Sequence, residues 1–190
     1  MGLIVWLCLA TLLPVPMRQS RSLQVTSTKR SDADANAIYA AALIQLLRQK
    51  PRHSDCLVLP AKAESFPVGD VDSLGINGNK NFWKAWKMTL LGFVRAGTVQ
   101  QPVDRSAIQS ALRTAFRDDH ITLGDRCVGA PDMLSVSSIG FNDGRTKALV
   151  FASHECGSWC CYGTSFFLER KKEAWIIVIP KGAEWGSLYC

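Results

Sequence analysis

The chain has 190 residues, 47% of them hydrophobic and 20% charged, which suits one domain plus a targeting segment and excludes a wholly disordered chain. The formal charge is +6; setting aside Arg18 and Arg21 leaves 20 basic against 16 acidic side chains, a net +4. The remaining basic residues are scattered, with Arg170, Lys171 and Lys172 the one short run. A nucleic-acid binder concentrates such charge in a stripe among stacking aromatics, so we read a solvated, mildly basic surface and no nucleic-acid partner.

Residues Gly2 to Met17 are almost continuously apolar. Sixteen residues is short of the ~20 that a bilayer-spanning helix needs, and fits the apolar region of a secretory signal. The polar run Arg18 to Ser22 follows, and Ser20-x-Ser22 offers small residues for cleavage after Ser22. The expected organisation is a signal peptide over 1–22, a polar linker over 23–30 and a single α+β domain over 31–190. Export to the periplasm or the medium follows. An uncleaved N-terminal anchor, the one route to a membrane contact, is the alternative.

The first helix is expected from a cap at Ser31 or Asp32, with Ile38, Tyr39, Ala42, Leu43, Leu46 and Leu47 as its apolar stripe and Pro51 as its stop. Cys56 to Leu59 reads as a short strand and 60–79 as a loop. A second helix starts near Asn79 or Lys80, carries Phe82, Trp86, Leu90 and Phe93 on one face, and ends at Gly97. A third is capped by Asp104 and striped by Ile108, Ala111, Leu112, Ala115 and Phe116. From Met133 the period becomes extended, with strands expected at 133–141, 147–155, 163–170 and 174–180. Ser137-Ser138 interrupts the alternation as a bulge does, and Asn142-Asp143-Gly144 is a hairpin turn. The expected fold is α+β: three helices packed on a C-terminal antiparallel sheet of four to five strands.

There are seven cysteines. With Cys8 assigned to the signal, six remain as disulfide candidates: Cys56, Cys127, Cys156, Cys160, Cys161 and Cys190. His154, Cys156, Cys160 and Cys161 are the one cluster with ligand-type side chains, and three readings compete for it. The first is a Cys156–Cys160 disulfide closing a hairpin mouth, worth roughly 2–3 kcal/mol; Cys161 then pairs with Cys56, Cys127 or Cys190, and His154 hydrogen-bonds to the loop. The second is a zinc or copper site on His154 and the thiolates. The third is thiol–disulfide chemistry, with His154 lowering the pKa of a neighbouring thiol. Signatures such as G-x-S-x-G, H-E-x-x-H and a phosphate loop are absent.

Ser137-Ser138-Ile139-Gly140-Phe141-Asn142, then Ala148-Leu149-Val150, His154, Cys156-Gly157-Ser158-Trp159-Cys160, Gly163, Leu168 and Trp175 form a spaced pattern within Ser135–Val178. It resembles the motif of a family of uncharacterised exported bacterial proteins. Cys161 stands where that family shows glycine or another small residue, and the turn Arg170-Lys171-Lys172-Glu173 lacks the usual asparagine or glycine. The resemblance implies an exported location and a β-hairpin framework, and nothing catalytic. The expected function is therefore a non-enzymatic binding domain of the cell envelope for a protein or small ligand, without a cofactor. The alternative is metal binding or thiol redox chemistry at His154, Cys156, Cys160 and Cys161.

Overall fold

Two long strands organise the molecule. The computed structural model describes residues 20–49, 52–65, 76–128, 132–156, 161–185 and 187–189; of the span expected as a signal peptide, residues 1–19 fall outside them. The helices are α1 (Ser20–Gln49), α2 (Lys80–Ala96) and α3 (Arg105–Phe116). The strands are β1 (Cys56–Val58), β2 (Ile76–Gly78), β3 (Thr122–Gly124), β4 (Asp132–Val136), β5 (Gly140–Phe141), β6 (Lys147–Cys156), β7 (Cys161–Lys171), β8 (Ala174–Val178), β9 (Ala183–Trp185) and β10 (Ser187–Tyr189). Among the described residues no helix is long and apolar enough to cross a membrane.

β6 and β7 are apolar on both faces because helices cover both. Ala148, Val150 and Ala152 of β6, with Phe166 and Leu168 of β7, pack in one core with Ile38, Leu43 and Leu46 of α1 and Ile108 and Leu112 of α3. On the opposite face Leu149, Phe151 and Phe167 meet Phe82, Trp86, Leu90 and Phe93 of α2. Double-faced burial is why this hairpin lacks the polar–apolar alternation of a half-exposed sheet.

The α+β class holds, but the sheet is larger than expected and mixed. Eight strands join in the order β10-β7-β6-β4-β1-β3, with β5 also on β6 and β8 also on β7. β1 lies between β3 and β4 and runs parallel to both, while the other pairs in this sheet are antiparallel. Parallel neighbours need a long crossover, and the chain from β1 to β3 supplies it through α2 and α3. β2 and β9 make a separate antiparallel pair.

Local capping explains the helix ends. The Asn79 side chain accepts the N–H groups of Asn81 and Phe82, and Asp104 accepts those of Ser106 and Ala107. α1 begins at Ser20, well ahead of the cap read at Ser31 or Asp32. Its Asp34 carboxylate accepts from the Arg170 guanidinium at 3.0 Å and the Trp175 indole at 3.3 Å, tying the helix to the β7–β8 hairpin.

The bulge at Ser137-Ser138 forms. Val136 faces Ala152 and Gly140 faces Leu149, so one extra residue sits on the β4–β5 side. The Ser137 hydroxyl accepts the Phe151 N–H at 2.9 Å in place of a ladder bond. Gly140 is required here, since a Cβ would lie 2.2 Å from the backbone of Phe93. The β5–β6 turn falls where Asn142-Asp143-Gly144 was read, yet positive φ is taken by Arg145, at 48°. Asn142 instead closes the turn through its side-chain oxygen, which accepts the Thr146 and Lys147 N–H groups.

Candidate functional site

The β4–β6 register sets Asp132 opposite Cys156 and Leu134 opposite His154. Residues two apart on a strand share a face, so Asp132, His154 and Cys156 converge on the face covered by α1. One donor atom from each lies within 4.8 Å of the other two. His154 is 0% exposed and Asp132 1%. Beside them Tyr162, paired with His154 across β6–β7, donates its hydroxyl to Gln49 at the end of α1 at 3.0 Å.

Asp132 is held from below by backbone. Its Oδ2 accepts the His53 N–H at 2.6 Å and the Ser54 N–H at 3.2 Å, charge-assisted bonds that fix the 52–55 loop to β4. The same loop is anchored by Arg52, which ion-pairs with Asp118 and lies 3.4 Å from Asp55. The Asp118 carboxyl is held below the usual carboxylate range, first by the His120 N–H and then by Arg52.

His154 is the unusual member. Its Nε2 lies 3.4 Å from Asp132 Oδ2, yet neither ring nitrogen has a hydrogen-bond partner among the described residues. The hairpin loop expected to bond His154, residues 157–160, lies outside the described residues. A buried polar group left without a partner costs roughly 1–3 kcal/mol. The arrangement therefore retains an imidazole with unused donor and acceptor capacity beside a fixed carboxylate.

The cysteines do not assemble as one thiolate set. Cys56 is bonded to Cys127, which removes both as partners for Cys161. Cys156 and Cys161 are each disulfide-bonded as well. Cys161 lies opposite Glu155, on the face away from His154; Cys160 and Cys190 fall outside the described residues. His53 and His120 contribute backbone N–H groups to Asp132 and Asp118.

Sequence reasoning missed Asp132, whose one signal was its parity with the inward-facing Leu134 and Val136. It also missed Gln101. That amide accepts the Tyr39 hydroxyl and the Ile139 N–H, both at 3.0 Å, and so joins α1 to the bulge. Burial pushes the Tyr39 phenol above its ordinary pKa, which keeps it a hydrogen-bond donor.

Three surface concavities lie elsewhere among the described residues or beside the loop that holds Asp132. A groove of about 490 Å³ runs between α1 and α3, floored by Ala37, Ala40, Ala107 and Ala111 and rimmed by Asp32 and Asp104. A cleft of about 640 Å³ lies along the outer face of α3, by Arg113 and Arg117. A pit of about 300 Å³ is lined by Leu47, Phe116 and the loop that holds Asp132. Comparison with family models, curated proteins and solved structures gives no match for the chain.

Proposed function

We propose that the chain is an exported, disulfide-braced binding domain that captures a partner protein or small ligand without catalytic chemistry of its own. The observation that carries this reading is the state of the cysteines. All four described ones, Cys56, Cys127, Cys156 and Cys161, are in disulfides, the usual outcome in an oxidising compartment and a rare one in the cytosol. The sealed Asp132–His154 couple supports the non-enzymatic part, because acid–base catalysis needs the group within reach of a substrate proton.

The binding surface under this reading is the α1–α3 groove. Its volume of about 490 Å³ is within the range of ligand sites, and an apolar floor with a few polar rim groups is their usual composition.

Intact mass of the exported protein, alkylated under denaturing conditions without reduction, tests the first part. A chain beginning near Leu23 with no alkylation is expected. Alkylation at Cys56, Cys127, Cys156 or Cys161, or a retained Met1, would overturn it. Amide spectra recorded with a small-fragment mixture test the groove. Shifts confined to Ala37, Ala107, Ala111 and their neighbours are expected, and shifts only elsewhere would refute the placement.

A further inference from the structure

The Asp132–His154–Cys156 cluster offers a carboxylate oxygen, an imidazole nitrogen and a sulfur, all within 4.8 Å of one another. Two ligands at ~2.05 Å from a tetrahedral zinc ion stand about 3.3–3.4 Å apart. His154 Nε2 and Asp132 Oδ2 stand 3.4 Å apart. A thiolate at ~2.3 Å from the same ion would sit roughly 3.6 Å from each of them, and the Cys156 sulfur lies within 4.8 Å of a ligand atom on both residues. The independent indication is His154 itself: it is 0% exposed, and neither ring nitrogen is hydrogen-bonded among the described residues. Asp132 is already oriented by the His53 and Ser54 N–H groups, as carboxylate ligands are by their outer-shell partners.

We propose that opening of the Cys156 disulfide converts this cluster into a zinc-class divalent-metal site, with Asp132, His154 and Cys156 as its protein ligands and water in the fourth position. The disulfide is the gate, because the ligand is the thiolate and not the bonded sulfur. In the step, an external dithiol attacks the disulfide and Cys156 leaves as a thiol. The second thiol of the reductant resolves the mixed disulfide, so two electrons and two protons pass to the protein and the reductant becomes a cyclic disulfide. Metal binding then releases the Cys156 proton. By linkage, free metal at 100 times its Kd draws the disulfide equilibrium ~100-fold toward the thiol form, about 59 mV for a two-electron couple. This goes beyond the binding-domain reading and does not depend on it.

The test is cobalt(II) titration of the full chain, oxidised and after reduction with a phosphine, which becomes its oxide with oxygen from water. One equivalent is expected only after reduction, with a sulfur-to-cobalt charge-transfer band and displacement by zinc. Asp132→Asn should weaken uptake at least tenfold, and Cys156→Ser should abolish the band. Reduction also opens Cys56–Cys127, so a second arm uses Cys156→His in the non-reduced chain, with free thiols capped. That imidazole should bind one cobalt without reductant, and adding Asp132→Asn should remove it. The proposal is overturned if Cys156→His takes up no cobalt, or if the reduced protein gives the same band with and without Cys156→Ser. In the latter case the metal sits on other thiols.

Discussion

Replacing both Cys56 and Cys127 with alanine removes a link whose sequence separation is 71 residues, with the two Cα atoms 5.9 Å apart. The link spans β2, α2, α3 and β3, so it closes the crossover that the parallel pairing requires. For a loop of that size the chain-entropy relation gives about 4.4 kcal/mol at 25 °C. That value is a ceiling, because the disulfides at Cys156 and Cys161 restrain the unfolded chain with or without this one. The assay is urea unfolding of the oxidised double variant, with thermal unfolding alongside. A loss of roughly 3–4 kcal/mol is expected, or roughly 6–16 °C in Tm for a domain of this size. The urea m-value should rise, since the unlinked unfolded chain exposes more surface. A loss below ~1 kcal/mol with an unchanged m-value would refute the reasoning, because the link would then restrain little of the unfolded ensemble.

Three further outcomes follow from particular contacts. Gly140→Ala places a Cβ against the Phe93 backbone and should destabilise the protein by about 1–3 kcal/mol or more, read from the urea midpoint. Ser137→Ala strips the Phe151 N–H of its side-chain acceptor; a loss of roughly 1–3 kcal/mol is expected, with faster hydrogen exchange at that amide. Asp104→Ala removes the α3 cap and should cost about 1 kcal/mol at neutral pH. The Asp104 carboxyl is held below the usual carboxylate range by the Ser106 hydroxyl, then by the Ala107 N–H. Its lowered folded pKa means the charged-state contribution is complete above the ordinary carboxylate pKa and is lost as pH falls through the folded value. The stability gap between wild type and Asp104→Ala should therefore narrow only in strong acid; a gap constant down to the acid transition would count against the charged cap.

Features decided by neighbours in sequence were legible in it. The α2 and α3 boundaries lay within a residue of the expected Asn79 and Asp104 caps, because a cap and a 3.6-residue stripe are both written in one short window. The strands from β4 to β8 were legible for the same reason. What was hidden is long-range. β1 was read as a short strand and forms at Cys56–Val58, but the three residues of β3 are too few to show a period, and nothing local reveals that one lies parallel to the other. The β7–β8 turn shows a milder version of this gap: Lys172 adopts φ 58°, so packing of the flanking strands outweighs the preference for glycine or asparagine there.

The candidate site was half legible, and the bulge explains the other half. His154 and Cys156 share a face by simple alternation, as the sequence indicated. Asp132 joins them only through the register of a separate strand. Continuing the Gly140–Leu149 pairing back along β4 without an extra residue would set Val136 opposite Ser153. Asp132 would then face Gly157 and turn toward α2, since a one-residue slip exchanges the faces of a strand. The inserted residue at Ser137-Ser138 instead sets Val136 on Ala152 and Asp132 on Cys156. The Ser137 hydroxyl supplies the bond to Phe151 that the interrupted ladder gives up. The two serines that interrupt the alternation are thus what delivers the carboxylate to the histidine, on the face where α1 closes over both.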